Sequence, residues 1–267
     1  MAIFINMLPY MNRIDDCQEL LERWSGGLEI SMDGPNWLEP LNWSSEFSRF
    51  KQHSGPLSVH SPIWELNLAS ARFEVIRNYS YEVYKECLAW SAHIGAEQMV
   101  LHPSLYSTPL FLRKESQDRA KENLKRLGDE AQRLGIDLAV ENVGFGETAL
   151  FNSEEFVRLF EEIPTISALV DVGHAFINGW DTPLVIRQLG KRLSAVHLHD
   201  NDGKDDLHQP VGEGDMEWTP IWEALGSLPH SFRSILEYQF DTPVDTVLHH
   251  AEMVEHELKK HASTQTA

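Results

Sequence analysis

The chain has 267 residues, of which 42% are hydrophobic and 10% aromatic, a size and composition typical of one globular catalytic domain. Its 41 acidic residues outnumber 22 lysines and arginines and leave a formal net charge of −19. Because proteins gain most of their affinity for DNA by neutralising phosphates with Lys and Arg, this charge argues against a nucleic-acid partner.

Short apolar runs with strand character alternate with amphipathic helical patterns along the chain. Strands are predicted at residues 3–7, 28–32, 57–60, 99–102, 138–141, 168–171, 195–199 and 235–237. Helices are predicted at residues 15–24, within 68–93, and at 114–134, 153–162, 182–188, 219–228 and 242–261. Residues 34–43, which carry two prolines, are predicted to form a structured loop. Eight alternations favour one α/β domain, a closed (β/α)8 TIM barrel over residues 1–262, with a frayed tail at 263–267.

Six of the predicted strands end on a histidine or an acidic residue. These residues are His60, His102, Glu141, Asp171, His197 and Glu237. Because a TIM barrel builds its active site at the carboxyl ends of its strands, we expect the six side chains to converge on one rim. One such residue alone is usually structural, but six at equivalent positions require a common explanation. Nitrogen and oxygen ligands without thiolates suit Zn²⁺, Mn²⁺, Fe²⁺ or Co²⁺, so the pattern predicts a metal-dependent enzyme.

Two local motifs add candidate ligands to this rim. In the segment from Asp171 to His174, the histidine follows the acid by three residues and reaches into the loop after the strand. In the pair Asp206 and His208, an acid and a histidine alternate, so both can point to one side of an extended segment. The glycines at 212 and 214 allow the backbone to approach a ligand closely.

The segments that contain these residues resemble the xylose-isomerase-like barrel superfamily, which includes sugar (phosphate) isomerases and epimerases and endonuclease IV. They are HSPIWELNLAS, VLHPS, VENVG, VDVGHAF, HLHDNDGKDDLHQPVGEGDMEW and ILEY, between residues 57 and 238. The resemblance implies a metal site, common to both branches, at Glu141, Asp171, His197 and Glu237. For the endonuclease IV branch it implies a three-zinc cluster whose remaining ligands are His60, His102, His174, Asp206 and His208.

The candidate ligands and the resemblance lead to two hypotheses for an enzymatic function. The first is a metal-dependent isomerase or epimerase of a small sugar or sugar phosphate, which moves a proton on the carbon beside a carbonyl through an enediolate. By resemblance, Glu141 and Glu237 would transfer this proton while also binding the metal. The second is a multi-zinc phosphoesterase of the endonuclease IV kind, kept open because the Asp206–His208 pair exceeds what a one-metal epimerase needs. A barrel that binds metal and ligand without turnover is a third, poorly motivated class.

Three further residues are predicted to contact the substrate. Trp64 follows a rim ligand and would shape the pocket, although loop packing explains it equally well. His199 shares a strand face with His197, and whether it supports the site or fills space stays open. Lys204 could neutralise an anionic substrate, but a solvated loop lysine is the more common arrangement.

The same features set the expected cofactor, partners and location. We expect a divalent metal, Zn or Mn, with more than one ion per chain left open, and a small polyhydroxy or phosphorylated substrate. No apolar run approaches the roughly 20 residues of a membrane span. The two cysteines, Cys17 and Cys87, give no disulfide framework, and the first residues lack the pattern of a signal peptide, so a cytoplasmic protein is expected. The oligomeric state stays open.

Overall fold

A computed structural model describes residues 2–33, 50 and 52–263 of the chain. Eight parallel strands close into a barrel in which each strand pairs with its neighbour in sequence, and β8 pairs with β1. The strands are β1 (Ala2–Asn6), β2 (Gly27–Ser31), β3 (Leu57–His60), β4 (Gln98–Leu101), β5 (Asp137–Glu141), β6 (Ser167–Asp171), β7 (Leu193–Leu198) and β8 (Arg233–Leu236). This is the predicted (β/α)8 TIM barrel.

The helices follow the strands and cover the outside of the barrel. Within the described residues they are α1 (Ile14–Arg23), α2 (Glu74–His93), α3 (Arg113–Leu134), α4 (Ser153–Glu162), α5 (Val172–Ile177), α6 (Thr182–Leu189), α7 (Trp218–Gly226) and α8 (Val244–Ser263). Short 3-10 helices lie at Leu110–Leu112, Gly146–Thr148 and Gly190–Arg192. In the part of the chain that the structure describes, none of these helices has the length and apolarity to cross a membrane.

The alternation of side chains along the strands separates two hydrophobic layers. Outward-facing residues such as Ile5, Leu138 and Val170 pack with the apolar faces of the helices. Inward-facing residues form a separate buried cluster inside the barrel, consisting of Phe4, Val100, Ala139, Leu169, Ala195 and Ile235. Two residues further along each of these strands, the next inward-facing position is polar. The apolar cluster therefore lies directly beneath the rim residues, and we call it the apolar floor.

The sequence predicted every strand to within two residues at each end, because each is a short apolar run between helical patterns. It missed the one-and-a-half-turn helix α5, which is too short to show helical periodicity. Helix α4 has the predicted bounds, and Asn152 caps its start in a capping box with Glu155. Helix α8 extends to Ser263, the first residue of the predicted tail. The rest of that tail and the predicted loop at 34–43 lie outside the described residues.

Candidate metal centre

The rim residues of β5 to β8 meet around one ring nitrogen of His197. Its Nδ1 lies 2.8 Å from Glu237 Oε2, 3.4 Å from Glu141 Oε2 and 3.7 Å from Asp171 Oδ2. Asp171 and His197 are fully buried, and Glu141 is nearly so. Three carboxylates and one imidazole nitrogen thus face a common point just above the apolar floor.

Glu141 also belongs to a second group, on the side of β3 and β4. The Nε2 atoms of His60 and His102 lie 3.6 Å and 2.9 Å from Glu141 Oε2. His60 donates a hydrogen bond from Nδ1 to the Ser61 carbonyl at 3.0 Å, so its Nε2 is the nitrogen left to face the site. Glu141 is therefore shared between the first and second groups.

A third group forms between helix α5, which directly follows β6, and the loop that follows β7. Asp206 Oδ2 lies 3.1 Å from the Nε2 atoms of both His174 and His208. Each histidine donates its Nδ1 proton to a backbone carbonyl at 3.0 Å, that of Asn142 for His174 and that of Glu237 for His208. Backbone carbonyls thus fix both rings with Nε2 toward Asp206.

The loop that carries Asp206 and His208 is held in place by the buried carboxylate of Asp200. It accepts hydrogen bonds of 2.7–3.1 Å from the backbone amides of Asn201, Gly212 and Met216 and from the Trp218 indole. His208 has a left-handed backbone, with φ of 50°, and its carbonyl accepts from the Gln239 amide at 2.9 Å. Asp200 and the Gln239 contact fix the loop at both sides of the third group.

The donor atoms fit divalent cations. The ligand atoms of three sets lie within 4.8 Å of one another, a spacing that one ion can bridge: Glu141 with Asp171 and His197, His60 with His102 and Glu141, and His174 with His199, Asp206 and His208. Glu237 adjoins the first set through its contact of 2.8 Å with His197 Nδ1. His197 Nδ1 is buried and makes no hydrogen bond despite the carboxylates around it, which leaves its lone pair for a ligand at their centre. Imidazole and carboxylate donors without sulfur suit Zn²⁺ and Mn²⁺. The residues present therefore fit the predicted cofactor.

The electrostatics of the site point the same way. Burial alone would raise the pKa of Glu141, but the neighbouring imidazoles, His102 foremost, hold it well below its usual range. Burial alone would lower the pKa of His60, but the neighbouring carboxylates, Glu141 foremost, raise it to about 9. For His208 burial is likewise outweighed, here by Asp206 foremost, and the pKa rises to about 9. Protonated imidazoles thus compensate the negative charge of the carboxylates in the absence of metal. A bound divalent cation would compensate the same charge.

We expect Zn²⁺ or Mn²⁺ to raise the Tm of the protein more at pH 9 than at pH 6.5. The protonated imidazoles stabilise the metal-free fold fully below their ordinary pKa of 6.5, and this stabilisation is lost as the pH rises through about 9. Metal requires the neutral imidazole, so its affinity grows over the same interval. Thermal melting with added metal or with chelator, across this range, checks the prediction; a metal-dependent rise in Tm that shrinks with pH would contradict it.

A cavity of about 540 Å³ opens above these groups. Its lining includes Glu141, Glu237, His60, His102, His174, Asp206 and His208, beneath a wall of apolar side chains. Trp64 lies in this wall and is 67% exposed, and its contact with substrate stays a prediction. Among the described residues that line the cavity, none is a lysine or an arginine.

The other two predicted substrate contacts lie elsewhere. Lys204 is exposed on the loop and is not among the residues of the cavity wall. His199 is fully buried behind Asp171, with Nε2 at 3.0 Å and 2.9 Å from its two carboxylate oxygens, and its ring stacks on that of His208 at 4.1 Å. A Cβ on Gly173 would collide with this ring at 2.1 Å, which explains the glycine between Asp171 and His174. His199 is thus placed to support Asp171 or to join the third group.

Sequence reasoning missed the polar residues of the first strands. Asn6 at the end of β1, Glu29 within β2 and Ser58 within β3 are buried and connected by hydrogen bonds beside His197. Glu29 interrupts an apolar strand that is buried throughout. An acid in the middle of such a strand is itself a signal, because a buried carboxylate requires hydrogen-bond partners.

Comparison with known proteins agrees with the fold. A model of the xylose isomerase-like TIM barrel family matches residues 32–260. An uncharacterized protein of Methanocaldococcus jannaschii is 26% identical over 204 residues, which cover 74% of this chain and 69% of that relative. An inosose dehydratase of Geobacillus thermodenitrificans is 25% identical over 192 residues, which cover 64% of this chain and 63% of that relative.

Solved structures share the same architecture. A D-tagatose 3-epimerase-like protein matches with a TM-score of 0.82 at 21% identity, covering 99% of both chains. The IOLI protein with a bound zinc atom matches with a TM-score of 0.76 at 17% identity, covering 98% of this chain and 99% of that one. At these identities the likeness shows a common fold.

Proposed function

This chain belongs to the xylose isomerase-like TIM barrel family, and from that premise we propose that it is a metal-dependent isomerase or epimerase of a small sugar or sugar phosphate. Glu141, Asp171, His197 and Glu237 would hold the ion. When bound, a divalent ion supplies Lewis-acid stabilisation of the negative charge that develops on the substrate oxygens. Zn²⁺ and Mn²⁺ are the cations that this donor set favours.

The observation that carries the proposal is the placement of two carboxylates at the base of one cavity. Glu141 on β5 and Glu237 just after β8 both line the cavity, and both approach His197 Nδ1. They come from strands on different sides of the barrel, so they reach a bound substrate from different directions. One carboxylate can remove the proton from the carbon beside the carbonyl, and the other can return a proton to the enediolate.

The relatives support this class of chemistry. Removal of a proton beside a carbonyl is the step that a sugar epimerisation and the dehydration of an inosose have in common. The relatives and structural neighbours named above include an inosose dehydratase and a D-tagatose 3-epimerase-like protein. The zinc atom in the IOLI protein structure supports the cofactor.

The proposal is tested by proton exchange with solvent. Metal-loaded protein is incubated in D₂O with a panel of free and phosphorylated ketoses and with inososes, and NMR follows deuterium incorporation. The proposal expects deuterium at the carbon beside the carbonyl of at least one compound, with formation of its isomer or epimer, and no incorporation after chelation. Absence of exchange from every compound would count against it.

A phosphoesterase is the second candidate, and the third group is the observation that favours it. Asp206, His174 and His208 form a complete donor set beside the first two groups. In-line hydrolysis of a phosphate ester uses several metal ions to activate water and to stabilise the leaving oxygen. A chain with three adjacent donor sets has the residues that such a mechanism needs.

We expect DNA with an abasic site to be neither bound tightly nor cut at physiological salt. The net charge of −19 and the lack of Lys and Arg among the described residues lining the cavity disfavour a phosphate backbone. Electrophoretic mobility and strand incision assays with metal-loaded protein check this. Micromolar or tighter binding followed by metal-dependent incision would place the phosphoesterase first.

A further inference from the structure

The strands β1 and β2 contribute no predicted ligand, yet each places a polar side chain at the base of the site. Asn6 and Glu29 are 2% and 0% exposed, and the strand register pairs them directly. A buried carboxylate without partners is strongly destabilising, so its hydrogen bonds indicate why it is there.

Glu29 makes hydrogen bonds to three side chains from three strands. Its Oε1 accepts from Asn6 Nδ2 at 3.0 Å and from His197 Nε2 at 3.1 Å. Its Oε2 accepts from Ser58 Oγ at 3.1 Å. Because a carboxylate accepts the bond from His197 Nε2, this nitrogen carries the proton, and Nδ1 is the nitrogen that faces Glu141, Asp171 and Glu237.

Asn6 connects Glu29 to Glu237, a second carboxylate of the same site. Its Oδ1 accepts a hydrogen bond from the Leu8 amide at 2.9 Å, which fixes the side-chain amide with Nδ2 toward the carboxylates. Nδ2 then donates to Glu29 Oε1 at 3.0 Å and to Glu237 Oε1 at 3.2 Å. Since Glu237 Oε2 lies 2.8 Å from His197 Nδ1, the four residues form a closed ring of contacts.

We propose that Glu29 and Asn6 are positioning residues, which fix His197 with Nδ1 toward the metal and Glu237 with Oε2 toward the same point. The assignment rests on the proposed function, because it needs a metal at this point. A carboxylate that accepts from the far nitrogen of a ligating imidazole sets the tautomer and raises the basicity of the ligating nitrogen. Asn6 gives Glu237 a fixed orientation with one oxygen occupied, so the other oxygen serves the metal and the substrate proton.

The test measures metal affinity rather than turnover. We expect Glu29→Gln to weaken the tightest Zn²⁺ or Mn²⁺ site by about 10- to 100-fold, measured as Kd by competition with a chromophoric chelator. Asn6→Ala should weaken it less, and Ser58→Ala, which removes only one hydrogen bond of Glu29, should have the smallest effect. Asp137→Asn removes a carboxylate at the opposite end of the barrel, near Gln98 and Arg233, and should leave the affinity unchanged.

A spectroscopic readout distinguishes positioning from packing. In ¹⁵N-histidine-labelled, Zn²⁺-loaded protein, the His197 Nε2 proton should give a downfield, slowly exchanging signal, which should move upfield in Glu29→Gln. If Glu29→Gln fails to fold, the order of effects in Asn6→Ala and Ser58→Ala carries the test.

Two outcomes overturn the assignment in different ways. In the first outcome, wild-type protein binds metal, and Glu29→Gln binds it with wild-type affinity and an unshifted His197 signal. If Glu29→Gln does not fold, Asn6→Ala is judged by the same two measurements. This outcome means that the positioning role is wrong and that the proposed function stands. If wild-type protein takes up neither Zn²⁺ nor Mn²⁺, the proposed function fails and the positioning role with it.

Discussion

Glu141→Gln and Glu237→Gln should each lower the rate of solvent proton exchange by roughly 100- to 10,000-fold, the contribution typical of a general acid or base. Each substitution removes the group proposed to accept or return the substrate proton, while the amide keeps the size of the side chain. Both carboxylates also approach His197 Nδ1, at 3.4 Å and 2.8 Å, so metal affinity should fall as well. The exchange rate is therefore measured at saturating metal, which separates loss of the base from loss of the ion.

A matched control is Glu147→Gln, which changes an exposed glutamate at the same end of the barrel, outside the cavity lining. It should exchange protons at the wild-type rate. The far-UV circular dichroism of all three variants should match that of the wild type, because both catalytic candidates lie above the apolar floor and not within it. Near-wild-type exchange by either Glu141→Gln or Glu237→Gln would remove that residue from the mechanism.

The double substitution Asp206→Ala with His208→Ala should lower the number of metal ions bound per chain by one. Asp206 Oδ2 lies 3.1 Å from the Nε2 atoms of His174 and His208, and backbone carbonyls hold both rings in that direction. Removing Asp206 and His208 leaves at most the two imidazoles of His174 and His199, too few ligands for a site, while the group around His197 stays intact. Elemental analysis of both proteins after identical loading and dialysis gives the count.

The control for this pair is Asp205→Ala, an exposed acid on the same loop, which should leave the count unchanged. An unchanged count in the double variant would mean that Asp206 and His208 bind substrate or hold the loop. The site would then be that of a one-metal isomerase, and the phosphoesterase would lose its main support. A count lowered by one leaves both chemistries open, and the exchange and incision assays separate them.

The sequence predicted the barrel and the convergence of the rim because both follow from local pattern. Each strand is a short apolar run, and a polar residue two positions beyond an inward-facing apolar residue must lie on the same face. The pairs Ala139 with Glu141 and Ala195 with His197 show this directly, since the first member of each is in the floor and the second is in the site.

The parts that the sequence did not predict depend on contacts between distant segments. Glu29 and His197 are 168 residues apart, and their hydrogen bond exists only once β2 and β7 stand in one barrel. His199 was expected at the cavity because it alternates with His197, but its ring is fully buried against the carboxylate of Asp171 and the ring of His208. Lys204 was placed by charge alone, and an exposed loop sets its position. Neither strand pattern nor composition contains this information.

A metal titration of solvent proton exchange tests the proposed metal-dependent chemistry most directly. Metal-free protein is loaded stepwise with Mn²⁺ or Zn²⁺ and assayed at each step in D₂O with a compound that the screen has identified. We expect no exchange without metal and a rise in rate that follows bound metal until the tightest site, around His197, is full. An exchange rate that is the same in metal-free and metal-loaded protein would contradict it.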